Sequence, residues 1–183
     1  FVSFHEYGTE YNEIPKIDDN VKIFGYFGSE KYFKNYRNEI LDLFEIDEKN
    51  KDELNEKYLD LINHPNSCSI HVRRGDYLNL QDYHKVQSID YYINAYNEMG
   101  HDKKYLIFSD DLEWCKENFD FIENKVIIEG NTDYQDLYLM SLCKNNIICN
   151  STFSWWGAWL NKNIDKKVLL IRSTTAVMPI IEI

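Results

Sequence analysis

From residue 66 onward, short apolar runs alternate with longer amphipathic stretches. Strands are predicted at Ser69–Val72, Tyr105–Phe108, Lys125–Ile128, Asn146–Cys149 and Lys167–Ile171. Between them, helices are predicted at Ser88–Met99, Asp111–Phe119, Asp133–Lys144 and Phe153–Leu160. Strands alternating with helices of this length imply an α/β, Rossmann-like parallel sheet with helices on both faces. Upstream, Ser29–Phe44 reads as one helix with Ser29 as N-cap and Tyr32, Phe33, Tyr36, Ile40 and Phe44 on one side. A charged amphipathic helix follows over Asp47–Ile62 and ends at His64-Pro65-Asn66, because Pro cannot continue it. Residues 1–25 show little periodicity.

Ligands of such sheets lie beyond the carboxyl ends of the strands, so the polar groups that follow each strand are expected to share one crevice. The first strand delivers His71, Arg73, Arg74 and Asp76; the second delivers Ser109, Asp110 and Asp111; the fourth delivers Asn150, Ser151, Thr152 and Ser154. Arginine offers a planar fork of donors that matches phosphate and stays charged at any working pH. Ser151 or Thr152 at the start of the helix near Phe153 would leave free backbone N–H groups pointing outward, a phosphate site by geometry and dipole. An N-cap with no ligand is the simpler alternative. His71 lies two residues before Arg73 and so shares its face of an extended strand; a core histidine is the alternative. Asp110 and Asp111 are candidates for a helix cap, for partners of a base or sugar, or for a metal pair, although adjacent acids fit a metal less well than alternate ones.

The chain has 31 acidic and 20 basic side chains and a formal charge of −11. That balance excludes a general nucleic-acid binder, which needs a basic face, and makes the Arg73–Arg74 pair a local exception. Aromatic residues are 15% of the chain and are read chiefly as core, including the tryptophan-rich helix Phe153–Leu160. The four cysteines show no CxxC pair or metal-finger spacing; three of them read as small buried hydrophobes, with disulfides as the alternative that their even number leaves open. Asn150-Ser151-Thr152 fits the N-glycosylation pattern but is assigned to the crevice. No run approaches the roughly 18 to 20 apolar residues of a membrane span, and no signal peptide is visible.

Several of these segments, in this order, resemble glycosyltransferase family 11, the α-1,2-fucosyltransferases. His71-Val-Arg-Arg-Gly-Asp-Tyr77 is similar to the family's HxRRxDY element. Phe108-Ser-Asp-Asp111 with Trp114-Cys115 resembles its second element, and Asp136–Cys143 running into Asn150–Leu160 resembles its third. Gly25–Phe33 resembles the segment ahead of the family's donor domain. The resemblance implies a GT-B architecture, a GDP-β-L-fucose donor, no required metal or other cofactor, and inversion to an α-1,2-linked fucose on a galactose-terminated glycan acceptor. It also implies that Arg73 and Arg74 hold the diphosphate, that Ser151, Thr152, Phe153 and Ser154 cradle it, and that Asp110 meets the guanine or ribose. His71 would touch ribose or phosphate, with Ser109, Asp111 and Asn150 completing the donor site. Arg74 and Asp76 are the candidates for catalysis, Asp76 as base or as orienter of the arginines.

The family's glycine-rich opening segment is absent, and Thr174–Ile183 differs from its usual ending. The expected organisation is therefore a partly helical remnant of an N-terminal region over 1–65, a donor-binding domain over 66–173, and an atypical tail over 174–183. A missing N-terminal, acceptor-side domain is part of that expectation. Its counterpart is a non-catalytic GDP-sugar-binding module. A transferase acting on core N-glycan or protein shares an arginine-rich motif but not Ser-Thr-Phe-Ser-Trp-Trp. The expected location is the bacterial cytoplasm. A membrane association is kept only because an anchored Golgi relative stripped of its anchor would look similar.

Overall fold

The computed structural model describes residues 2–6, 11–16 and 20–170. Its centre is a five-stranded, fully parallel sheet in the order β5-β4-β3-β6-β7. The strands are β3 (Ser67–Val72), β4 (Lys104–Ser109), β5 (Lys125–Ile127), β6 (Asn145–Ile147) and β7 (Val168–Leu169). Helices α3 (Ile89–Met99), α4 (Leu112–Asn118), α5 (Asp133–Leu142) and α6 (Thr152–Leu160) make the crossovers. The chain moves from β3 outward to β5, then returns across the sheet to β6 on the other side of β3. That reversal puts the topological switch point between β3 and β6, where open α/β sheets bind ligands. The predicted strands and crossover helices are all present, with ends shifted by a few residues; Ile171, the expected end of the last strand, and the tail 174–183 lie outside the described residues.

Period-2 alternation explains how one sheet serves two cores. Cys68, Ile70 and Val72 of β3, with Tyr105 and Ile107 of β4, pack against α3 and α4 through Tyr92, Ala95, Met99 and Cys115. Leu106 and Phe108 face the other way, onto Leu139 and Met140 of α5 and onto Leu54 and Tyr58 of α2 (Glu48–Ile62). The second face of β3 is polar and buried: Ser67, Ser69 and His71 are each 5% exposed or less. Burial of these groups requires partners. Asn146 Nδ2 donates to Ser69 Oγ at 2.7 Å and to the Met140 carbonyl at 2.9 Å, and Asn161 Nδ2 donates to Asn146 Oδ1 at 2.8 Å. A satisfied network of this kind fixes β3 against β6, and His71 ends the row.

The stretch 29–44 is not one helix. Two 3-10 turns, Glu30–Tyr32 and Lys34–Tyr36, precede a short α1 (Arg37–Leu43). The break is at Phe33, with φ −140° and ψ −2°. Its ring stacks on Trp156 and meets Trp155 and Trp159 edge-on, with centroids 5.2 to 6.0 Å away. Tertiary packing against three indoles outweighs the local helical period. Sequence also missed a two-stranded parallel pair, β1 (Val2–His5) with β2 (Val21–Phe24). Among the described residues no helix is long and apolar enough to cross a membrane, so the expected membrane association finds no support there.

Asp136, in the first turn of α5, ties that helix to the loop after β5 by accepting from Asn131 Nδ2 at 2.9 Å. Burial pushes its carboxyl up to about 6, against the opposing effects of the Asn131 hydrogen bond and of Lys57. The folded state therefore holds this proton more tightly than the unfolded chain does. The resulting stability is present below about pH 4 and is lost as pH rises through about 6. Asp136→Asn keeps the accepting oxygen and cannot ionise. Thermal melts from pH 4 to 8 should show the variant gaining on the parent protein as pH rises; parallel curves would contradict the burial argument.

Candidate active site

The carboxyl ends of β4, β3 and β6 are neighbours in the sheet, so the three expected strand ends do emerge side by side. Past β3 the chain turns through Gly75 into a 3-10 turn at Asp76–Asn79. Asp110, just past β4, holds this turn. Its Oδ1 accepts from the Arg74 backbone N–H at 2.9 Å, and its Oδ2 pairs with Arg73 Nη1 at 3.0 Å. Gly75 permits that approach, since a Cβ there would lie 2.5 Å from Asp110 Oδ2.

The two arginines are placed differently. Arg73 is engaged at both ends of its fork, by Asp110 and by Asp76 Oδ1 at 2.8 Å. Arg74 is engaged only at its base, where Nε donates to Asp111 Oδ2 at 3.0 Å. Its guanidinium carbon lies 4.1 Å from the centroid of the Trp114 ring, a cation–π contact that also fixes the plane of the fork. Among the described residues, neither terminal amino group of Arg74 has a hydrogen-bond partner. Asp111 meanwhile caps α4 through Oδ1 and the Trp114 N–H at 3.2 Å, and its own N–H donates to Ser109 Oγ at 2.9 Å. Each acid of the adjacent pair thus meets an arginine.

The β6 side supplies the opposite wall. Ser151 occupies the N-cap position of α6 but makes no side-chain capping bond, so the first N–H groups of that helix lack the usual hydroxyl partner. Thr152 is exposed there, while Phe153 packs its ring against His71 at 5.3 Å. Ser154 turns inward, 1% exposed, and donates to the Ser151 carbonyl at 3.2 Å; its hydroxyl is not part of the outward surface. Asn150 is tied to the loop ahead of α3, accepting from Gln87 Nε2 at 2.9 Å and donating to the Lys85 carbonyl at 3.0 Å. Tyr77 donates to the Asn150 carbonyl at 3.1 Å, which links the arginine turn to the start of α6 across the switch point. His71 is buried with Nδ1 3.3 Å from Cys149 Sγ, and burial, with Arg73 assisting, lowers its imidazole to about 4 despite Asp110.

This wall-to-wall pairing of an arginine turn with an uncapped helix start is the arrangement expected of an anion site. The sequence model of a known family, described as Glycosyl transferase family 11, matches residues 3–179. The chain belongs to glycosyl transferase family 11. It is similar to an alpha-1,2-colitosyltransferase of Escherichia coli, 38% identical over 156 residues, which are 80% of this chain and 53% of that protein. It is similar also to the O-antigen biosynthesis glycosyltransferase WbnK of Escherichia coli, 36% identical over 84% of this chain and 55% of that protein. A galactoside alpha-(1,2)-fucosyltransferase 2 of Hylobates lar is 27% identical over 82% of this chain and 48% of that protein. The chain thus spans about half the length of the curated relatives it matches. The family match takes in residues 3–65 as well as the region of the five-stranded sheet.

Within this family member, the contacts that sequence alone did not supply are Trp114 on Arg74, Tyr77 on Asn150, Gln87 on Asn150 and Cys149 on His71. The first two involve aromatics inside recognised elements, but their partners lie 40 or more residues away in the chain and carry no local signature. A separate groove of about 730 Å³ lies along α5 between Phe44, Tyr138 and Lys162, and none of the expected site residues lines it.

Proposed function

We propose that this chain carries the donor site of an inverting transferase that moves L-fucose from GDP-β-L-fucose to the 2-hydroxyl of a terminal galactose. The observation that carries the reading is Arg74, whose base and plane are fixed by Asp111 and Trp114 while both terminal amino groups stay open. A fork held this way loses little freedom on gripping a diphosphate. The N–H groups at the start of α6 supply the second set of donors, with Thr152 beside them. Arg73 joins as the ligand arrives: its pair with Asp76 is half exposed, and such pairs contribute only about 0 to 1 kcal/mol, so phosphate oxygens exchange for it readily. As GDP leaves, these donors stabilise the growing negative charge, each at roughly 10² to 10³ in rate. They do so without a metal.

Asp110 keeps lone pairs beyond its two bonds to the arginine turn and remains our candidate partner for guanine or ribose. Asp76, held through one oxygen and open at the other, is our candidate to accept the proton of the attacking hydroxyl. The 38% identity to a colitosyltransferase favours a second donor, the colitosyl nucleotide, on the same phosphate grip. We take the bacterial cytoplasm as the place of action; the Escherichia coli relatives support a bacterial setting. With GDP-fucose and a β-galactoside, the chain should release GDP only when both are present, and EDTA should not change the rate. GDP binding without galactoside-dependent release would favour the non-catalytic module, and a manganese requirement would overturn the arginine account.

A further inference from the structure

We propose that Cys149 is a positioning residue: its thiol donates a hydrogen bond to Nδ1 of His71, which fixes the imidazole as the Nε2–H tautomer and presents that N–H to the anionic ligand of the crevice. The identity of the ligand rests on the nucleotide-sugar reading; the hydrogen bond does not.

Cys149 Sγ lies 3.3 Å from His71 Nδ1; His71 is within β3, and Cys149 lies just past the neighbouring strand β6. Both are buried, at 5% exposure each. Burial pushes the thiol up to about 12 and lowers the imidazole to about 4, so both partners are neutral at working pH. A neutral imidazole carries one donor and one acceptor, which leaves two arrangements. Either the thiol donates to Nδ1, or Nδ1–H donates to sulfur and the thiol proton goes elsewhere. Among the described residues, the only other polar side chain within reach of the thiol is Ser154 Oγ, at 3.8 Å. That is a longer contact, and sulfur is a weak acceptor beside an imidazole nitrogen. The first arrangement therefore wins.

The consequence lies on the far edge of the ring. His71 Nε2 has no hydrogen-bond partner among the described residues. The one wholly buried side-chain nitrogen or oxygen without a partner among them is Trp155 Nε1, so His71 Nε2 is not sealed off. Phe153 packs on the ring from the first turn of α6, holding it beside the anion wall. A bare lone pair there would repel phosphate oxygens, and an N–H attracts them. Cysteine suits the position because it is a small hydrophobe that still carries a donor.

The test is the imidazole ¹⁵N spectrum of the chain labelled at histidine, with His71 assigned by comparison with His71→Gln. At pH 7 the account expects a neutral ring protonated at Nε2. A ring protonated at Nδ1, or at both nitrogens, overturns the proposal in the unaltered protein, whatever the variants do. Cys149→Ser keeps a donor and should keep the tautomer. Cys149→Val keeps the packing but not the donor, and should give a mixture of tautomers with GDP affinity reduced about three- to tenfold, the range of one net hydrogen bond. A folded Cys149→Val with the parent tautomer and affinity also overturns it. Failure of the unaltered chain to bind GDP removes the assigned ligand, while the spectrum still decides the hydrogen bond.

Discussion

Arg74→Ala is expected to abolish the proposed transfer and to weaken GDP binding by about 10- to 100-fold, the range for hydrogen bonds to a charged group, while the protein stays folded. The guanidinium makes one ion pair, to Asp111, and one ring contact, to Trp114. Trp114 keeps its own packing on the core through Phe119 after the change, and Asp111 keeps its capping bond to the Trp114 N–H. The loss should therefore fall on the ligand and not on the fold. Arg74→Lys separates charge from geometry: it retains the positive charge but not the fork, so it should recover only part of the affinity. Calorimetry with GDP, beside a circular dichroism melt, measures both halves of the claim. A folded Arg74→Ala protein with normal GDP affinity removes Arg74 from the site.

Gly75→Ala acts on the same turn from the other side. The new methyl group would lie 2.5 Å from Asp110 Oδ2 and 3.1 Å from its Cγ. Asp110 cannot stay, and its bonds to the Arg74 backbone N–H and to Arg73 go with it. Overpacking of this kind costs about 1 to 3 kcal/mol, seen as a lower melting temperature. Because both arginines lose their common anchor, GDP affinity should fall about tenfold or more. An alanine variant with unchanged affinity would show that the turn adjusts without Asp110, and the clamp assigned to it would then be wrong.

How much of this was legible in the sequence follows from the range of each interaction. The five strands and their crossovers are written in local period, because strands buried on both faces read as continuous apolar runs. The convergence of Arg73, Asp110 and Ser151 on one edge then follows from topology alone. What no local pattern carries is the pairing across that edge. Asp110 reads as a cap candidate, yet Asp111 is the cap and Asp110 is the anchor of the arginine turn. Ser154 reads as an outward hydroxyl, but the helical period turns it toward Cys149. Phe33 breaks a helix that its own sequence favours, because three tryptophans more than a hundred residues away hold its ring. The polar face of β3 was hidden in an apolar run, since Ser69 gains its meaning only from Asn146.

The central claim is that an arginine turn and an uncapped helix start form a guanine nucleotide diphosphate site. Calorimetric titration of the chain with GDP in the presence of EDTA, with ADP as the control, tests it most directly. The account predicts saturable GDP binding that needs no metal, and markedly weaker ADP binding. A folded chain that binds neither nucleotide, or binds GDP only after manganese is restored, would contradict it.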